Sequence, residues 1–255
     1  MSLVEVSIWA AMSGVLFTLW VISSVEVFTQ RSLSAFRGWG FITLTGGASI
    51  VMTGLPEVLF PALKRWDLLV IKASIGPLSG ALALFYLGIW SGSRTDDRLI
   101  GRVYHLGSLF LVLAAAALAA GALSGADSFD LLMLGLAVCT LGVVMAAMVA
   151  ARSMMLGDPL ARWMVLACMS MSVMIGGLYL KALGLPLSEG VMVLTALGTL
   201  GYFLLSICLT LERNRQTRHL LRQASGLVET VGVSGLPRGP RLLRLVEDAL
   251  WRSER

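Results

Sequence analysis

The sequence predicts an all-α, polytopic membrane protein: a bundle of seven transmembrane helices, N-terminus outside and C-terminus cytoplasmic. Three observations predict it. Of 255 residues, 57% are apolar and 14% charged, whereas a soluble domain carries about 45–50% apolar and about 25% charged residues. The mean hydropathy of +0.83 comes from long apolar runs that recur as far as residue 211. The basic residues, finally, gather in alternate loops and in the tail. The apolar surplus excludes disorder, and a disulfide scaffold is excluded because only three cysteines occur, Cys139, Cys168 and Cys208, each in apolar sequence.

A helix needs roughly 20 apolar residues to cross about 30 Å of hydrocarbon. Seven stretches meet that length: 4–28, 39–63, 68–90, 103–124, 129–151, 160–183 and 189–211. All are far longer than the roughly ten residues of a barrel strand. The first is too long and too lightly charged in front to be a cleaved signal peptide, and it lacks an obvious small-residue cleavage site. The second is interrupted by Gly46, Gly47, Gly54, Pro56 and Pro61, and the third by Pro77. These residues are expected to break both spans, and a re-entrant second stretch would leave six crossings. Gly76 and Gly80 in the third have the spacing of a close helix–helix contact.

Basic residues favour the cytoplasmic side. With the N-terminus outside, Arg31, Arg37, Arg94, Arg98, Arg102, Arg152 and Arg162 join nine tail arginines inside, 16 of the 20 basic residues. Trp9 and Trp66 then fall at the outer boundary and Trp39, Trp90 and Trp163 at the inner one. This assignment implies an integral inner-membrane protein whose first partner is the lipid bilayer.

Ionisable residues within spans are costly and mark functional candidates. Glu57 and Lys72 lie on neighbouring antiparallel stretches, where they would meet and neutralise each other. Trp66, Tyr179, Lys181 and Glu189 fall at the same outer level. The set reads either as a polar pocket for a small ligand or as a structural ion pair among interfacial residues. Two histidines, His105 and His219, are too few and too peripheral for a bis-histidine haem inside the bundle. The cysteines, one per helix, form no zinc pattern. No cofactor and no catalytic residue is expected.

At Glu212 the composition changes. Residues 1–211 carry a net +1 and the tail +4. Arg213, Arg215, Arg218 and Arg222 follow the last span as an orientation anchor suited to anionic lipid headgroups. With no interleaved aromatics, they do not suggest a nucleic-acid surface. Leu220, Ala224, Leu227 and Val231 form a short heptad seam on a cytoplasmic linker helix, 212–231, which suits signal relay or a homodimer. Then come Val233-Ser-Gly-Leu-Pro237 and, after Pro240, a helix with the apolar stripe Leu242, Leu245, Val246, Ala249 and Leu250.

Residues 232–255 resemble the start of a GGDEF (diguanylate cyclase-type) domain, in which a linker helix leads into a D-x-L-T-G-L-P-N-R turn and an amphipathic helix. The resemblance covers about 25 residues. Val231 stands at the aspartate position, Ser234 at the threonine, and Arg238-Gly239 at the Asn-Arg pair. It implies a bacterial membrane sensor that relays an outer-side or intramembrane signal through its last helix to a cytoplasmic output. No catalytic domain, and hence no enzymatic activity, is expected within these residues. An accessory subunit of a larger membrane complex and a small transporter are the alternative readings.

Overall fold

The computed structural model describes residues 2–30, 33–60, 65–92 and 98–230. Among them every regular element is helical: α1 (Leu3–Gln30), α2 (Leu33–Phe41), a π-helical turn (Ile42–Gly46), α3 (Gly47–Met52), α4 (Leu55–Leu59), α5 (Arg65–Gly92), α6 (Arg98–Leu123), α7 (Ser128–Met155), α8 (Ala161–Ala182) and α9 (Glu189–Thr230). Among the described residues, six stretches are long and apolar enough to cross a membrane as single helices: Leu3–Thr29, Leu68–Leu87, Ile100–Leu123, Ser128–Met155, Ala161–Ala182 and Glu189–Gln216. Their outward faces are apolar, with Phe17, Ile22, Leu113, Leu134, Met169 and Leu197 all exposed. In water this would be an apolar surface far beyond what a soluble monomer shows. A lipid bilayer matches it.

The expected second span, 39–63, is divided. Helix runs from Leu33 to Met52 with the π turn inside it, and Gly54 then turns the chain at φ +80° before the short α4. Local chemistry accounts for both irregularities. The Thr43 hydroxyl donates to the Trp39 carbonyl at 2.8 Å, competing with the backbone ladder where the turn widens. Left-handed backbone suits a residue without Cβ, and the amide of Leu55, just past Gly54, donates to Thr53 Oγ1 at 3.2 Å. Pro56 sits in the first turn of α4, where its missing N–H is not needed. Pro61 lies outside the described residues.

The third span corrects an expectation. Pro77 lies inside α5 without ending it. Next to it, the Ser79 hydroxyl donates to the carbonyls of Ile75 (2.7 Å) and Gly76 (2.9 Å), while neighbouring helices hold the rod. Gly76 and Gly80 are both used within this chain. A Cβ on Gly76 would meet Tyr179 and Cys139, and one on Gly80 would touch Leu111.

α5 packs on α6 and α7, α7 on α8, α8 on α9, and α9 on α1; α3 touches both α5 and α8. The interrupted stretch 33–59 runs antiparallel to α1. Trp39 Nε1 donates to Ser24 Oγ at 2.9 Å, and Trp20 Nε1 donates to Thr43 Oγ1 at 3.0 Å. Farther along, Ser49 Oγ approaches Met174 Sδ of α8 at 3.8 Å, and α4 reaches α1. Glu5 on α1 pairs with Lys181 at the close of α8, and Asp158, before α8, pairs with Arg213. These pairs define a Glu5 end and an Asp158 end of the bundle. Phe41, Tyr86, Tyr202 and Phe203 cluster between the interrupted stretch, α5 and α9, with centroids 5.6–6.0 Å apart.

Trp9, expected at the outer boundary, faces inward. Its side chain is fully buried in the core with Met12, Leu16, Met52 and Leu55. Trp163 is exposed. The side chains of Trp66 and Trp90 lie outside the described residues.

Candidate functional site

Among the described residues, the Glu5 end holds two ion pairs. Lys72 Nζ of α5 meets Glu57 Oε1 of α4. α4 and α5 are joined by a short connection, so residues near its two sides are natural neighbours. Lys181 Nζ meets Glu5 Oε1, which joins α8 to α1 across 176 positions of sequence. Glu5 is fixed for this task by its own helix start. Its amide donates to Ser2 Oγ at 3.1 Å, and its Oε2 accepts from the Ser2 amide at 3.3 Å. Ser2-Leu-Val-Glu5 is thus a capping box, a pattern legible in the sequence that would have singled out Glu5. Neither carboxylate lacks a cation, so each charge is offset where hydrocarbon would otherwise penalise it.

Tyr179 is buried between helices. Its hydroxyl lies 3.3 Å from Cys139 Sγ and fills the space left by Gly76 of α5 and Gly135 of α7. It therefore ties α5, α7 and α8 together beneath the ion pairs. Glu189 starts α9 and is exposed. The structure thus brings Glu57 to Lys72, and places Lys181 with Glu5 rather than with Glu57 or Glu189. The Trp66 side chain is outside the described residues.

The Asp158 end forms a second polar locus. α7 closes on Gly157, at φ +82°, and the amide of Asp158 then donates to the Ser153 carbonyl at 3.1 Å. This turn presents the Asp158 carboxylate, whose Oδ1 accepts from the Leu160 amide at 3.0 Å. Its Oδ2 lies 3.5 Å from Arg213 Nη1, and both side chains are 10% exposed. Arg213 is therefore engaged with the α7–α8 turn instead of pointing freely to lipid headgroups. Arg215, two residues on, is 82% exposed and lies 3.9 Å from Glu212. An acidic residue in a tight turn opposite an arginine-rich helix exit was the sequence signal for this contact. Arg218, Arg222, Leu220, Ala224 and Leu227 all lie on α9, but their side chains are outside the described residues. Val231 is outside them altogether.

Among the described residues, no group of three His, Cys, Asp or Glu side chains is placed to hold a metal ion. Cys139 and Cys168 are buried, and Cys208 is exposed. Comparison with known proteins finds no matching family model, no matching characterised protein and no matching solved structure.

Proposed function

We propose that the chain is a seven-pass inner-membrane sensor that relays a signal from its Glu5 end to a cytoplasmic output through α9. The observation that carries this reading is α9 itself. It is helical without interruption from Glu189 to Thr230, 42 residues. At about 1.5 Å per residue it extends roughly 63 Å, about twice the hydrocarbon thickness. Only the part up to Gln216 is apolar enough to lie in lipid; the remainder emerges as a rod. Asp158 grips that rod at Arg213, one turn before the apolar stretch ends.

A seventh crossing is supported by the path of residues 33–59. Their contacts pass from Ser24 to Trp20 on α1, then to Met174, and finish with Glu57 against Lys72. Twenty continuous helical residues, Leu33 to Met52, rise about 30 Å. The positive charge gathered at the Asp158 end supports a cytoplasmic placement of that end. The Leu220, Ala224, Leu227 and Val231 seam would pair two copies, and the resemblance of the tail to a GGDEF start supports a cyclase-type output for such a rod.

The test fuses an intact diguanylate cyclase domain after Thr230 and inserts one to four alanines between residues 217 and 230. Each residue turns a helix by about 100°, so four restore its phase to within about 40°. Cyclic dinucleotide output is expected to change with one or two insertions and to return with four. Output indifferent to insertion length overturns the relay.

A further inference from the structure

Three buried polar atoms near the Glu5 end have no hydrogen-bond partner: Trp9 Nε1, Ser13 Oγ and Glu57 Oε2. Orphaned groups of this kind are rare in native structures and call for an explanation. Their placement supplies one. At about 100° per residue, Trp9, Ser13, Trp20 and Ser24 fall within about 60° of one another on α1. Trp20 and Ser24 already bond the interrupted stretch, through Thr43 and Trp39. The same stripe carried toward the Glu5 end therefore points Trp9 and Ser13 at the continuation of that stretch. There α4 packs on α1, and Trp9, Met52 and Leu55 all belong to the one continuous buried core of the bundle. Glu57 lies two residues beyond Leu55.

The chemistry left open is specific. Trp9 offers an N–H donor, Ser13 a hydroxyl that donates or accepts, and Glu57 a carboxylate oxygen that accepts. Charge is already balanced, because Glu57 holds Lys72 through its other oxygen and Glu5 holds Lys181. An added ion would bring uncompensated charge into apolar surroundings; a neutral molecule would not. We infer that α1 and α4 form a binding site for a small neutral molecule of the amide class, whose carbonyl accepts from Trp9 and whose N–H donates to Glu57. The three atoms are sealed from solvent, so occupancy requires movement of α4. Gly54, at φ +80°, is the hinge for that movement, and Val58, Leu59 and Phe60 beyond it are exposed rather than locked in the core. The inference deepens the sensor reading and rests on it for the ligand's role as a signal; binding itself does not depend on the relay.

The test uses the full chain in lipid nanodiscs, where both faces meet solution. The indole N–H resonance of Trp9 is assigned by its loss in Trp9→Phe and followed during titration with acetamide, methylammonium and acetate. A saturable shift with acetamide but not with the two ions is expected. Glu57→Gln should weaken the apparent acetamide affinity about tenfold or more, in line with loss of a hydrogen bond to a charged group. Ser13→Ala, which removes no charge, provides the same comparison if Glu57→Gln does not fold, with a loss of about threefold or more. A Trp9 resonance that exchanges with water yet ignores acetamide overturns the site, as do equal responses to all three solutes or affinity unchanged in the variants. None of these results bears on the alanine-insertion series, so the site and the relay fail separately.

Discussion

Gly177→Ala tests how tightly α8 holds the exit helix. A Cβ at Gly177 would overlap Oγ1 and Cγ2 of Thr195 and stand 2.7 Å from its Cβ. Thr195 cannot rotate away. Its hydroxyl donates to the Val191 carbonyl at 2.7 Å, the side chain is 1% exposed, and its Cβ is fixed by the backbone. Reaching ordinary carbon–carbon contact therefore requires α8 and α9 to separate locally by about 1 Å, enough to forfeit a quarter to a half of the attraction at adjacent contacts. Overpacking of this kind costs about 1–3 kcal/mol, and the better helix propensity of alanine returns at most about 1 kcal/mol. We expect a net loss of about 1–2 kcal/mol, read by reversible unfolding in mixed micelles. Thr195→Ala removes two of the three overlapping atoms, so the double variant should be more stable than the sum of the singles by about 1 kcal/mol. Stability of Gly177→Ala within about 0.5 kcal/mol of the parent, or strict additivity with Thr195→Ala, would refute the argument that this glycine sets the α8–α9 distance.

Two further substitutions probe the ion pairs. Asp158→Ala leaves Arg213 largely buried without this carboxylate; a cost of about 1–3 kcal/mol is expected, together with faster amide hydrogen exchange in residues 212–216 than in α7, and uniform exchange would count against a local grip. Lys72→Met leaves Glu57 without its cation in apolar surroundings and should cost about 1–3 kcal/mol, discounted for the one-third exposure of the Glu57 side chain. Adding Glu57→Gln should recover at least half of that loss in thermal unfolding, because a neutral pair no longer strands a charge; a double variant less stable than either single would show that the pair contributes more than mutual neutralisation.

Hydropathy identified the six long helices because the bilayer imposes a length that apolar sequence must meet. It could not say which face of each helix points inward. In lipid the outside is as apolar as the inside, so Trp9 and an exposed Phe17 look alike in a hydropathy window although one is buried and the other faces outward. Inward faces are marked by small and hydroxyl residues that let backbones approach: Gly76 and Gly135 around Tyr179, Gly177 against Thr195, Ser49 against Met174. The Glu57–Lys72 pair was legible since the two flank one connection. Glu5–Lys181 was not, because that contact exists only once α1 and α8 have been brought side by side. The π turn, beside the Thr43 hydroxyl, and the continuity of α5 through Pro77 are features that no single-residue propensity records. Polar atoms are thus the informative minority in this chain. Where they find partners, as Trp20 and Trp39 do, they fix the register of the interrupted stretch against α1. Where that register continues and partners are missing, at Trp9 Nε1, Ser13 Oγ and the second carboxylate oxygen of Glu57, the same logic that positions the helices marks the place where a ligand would complete them.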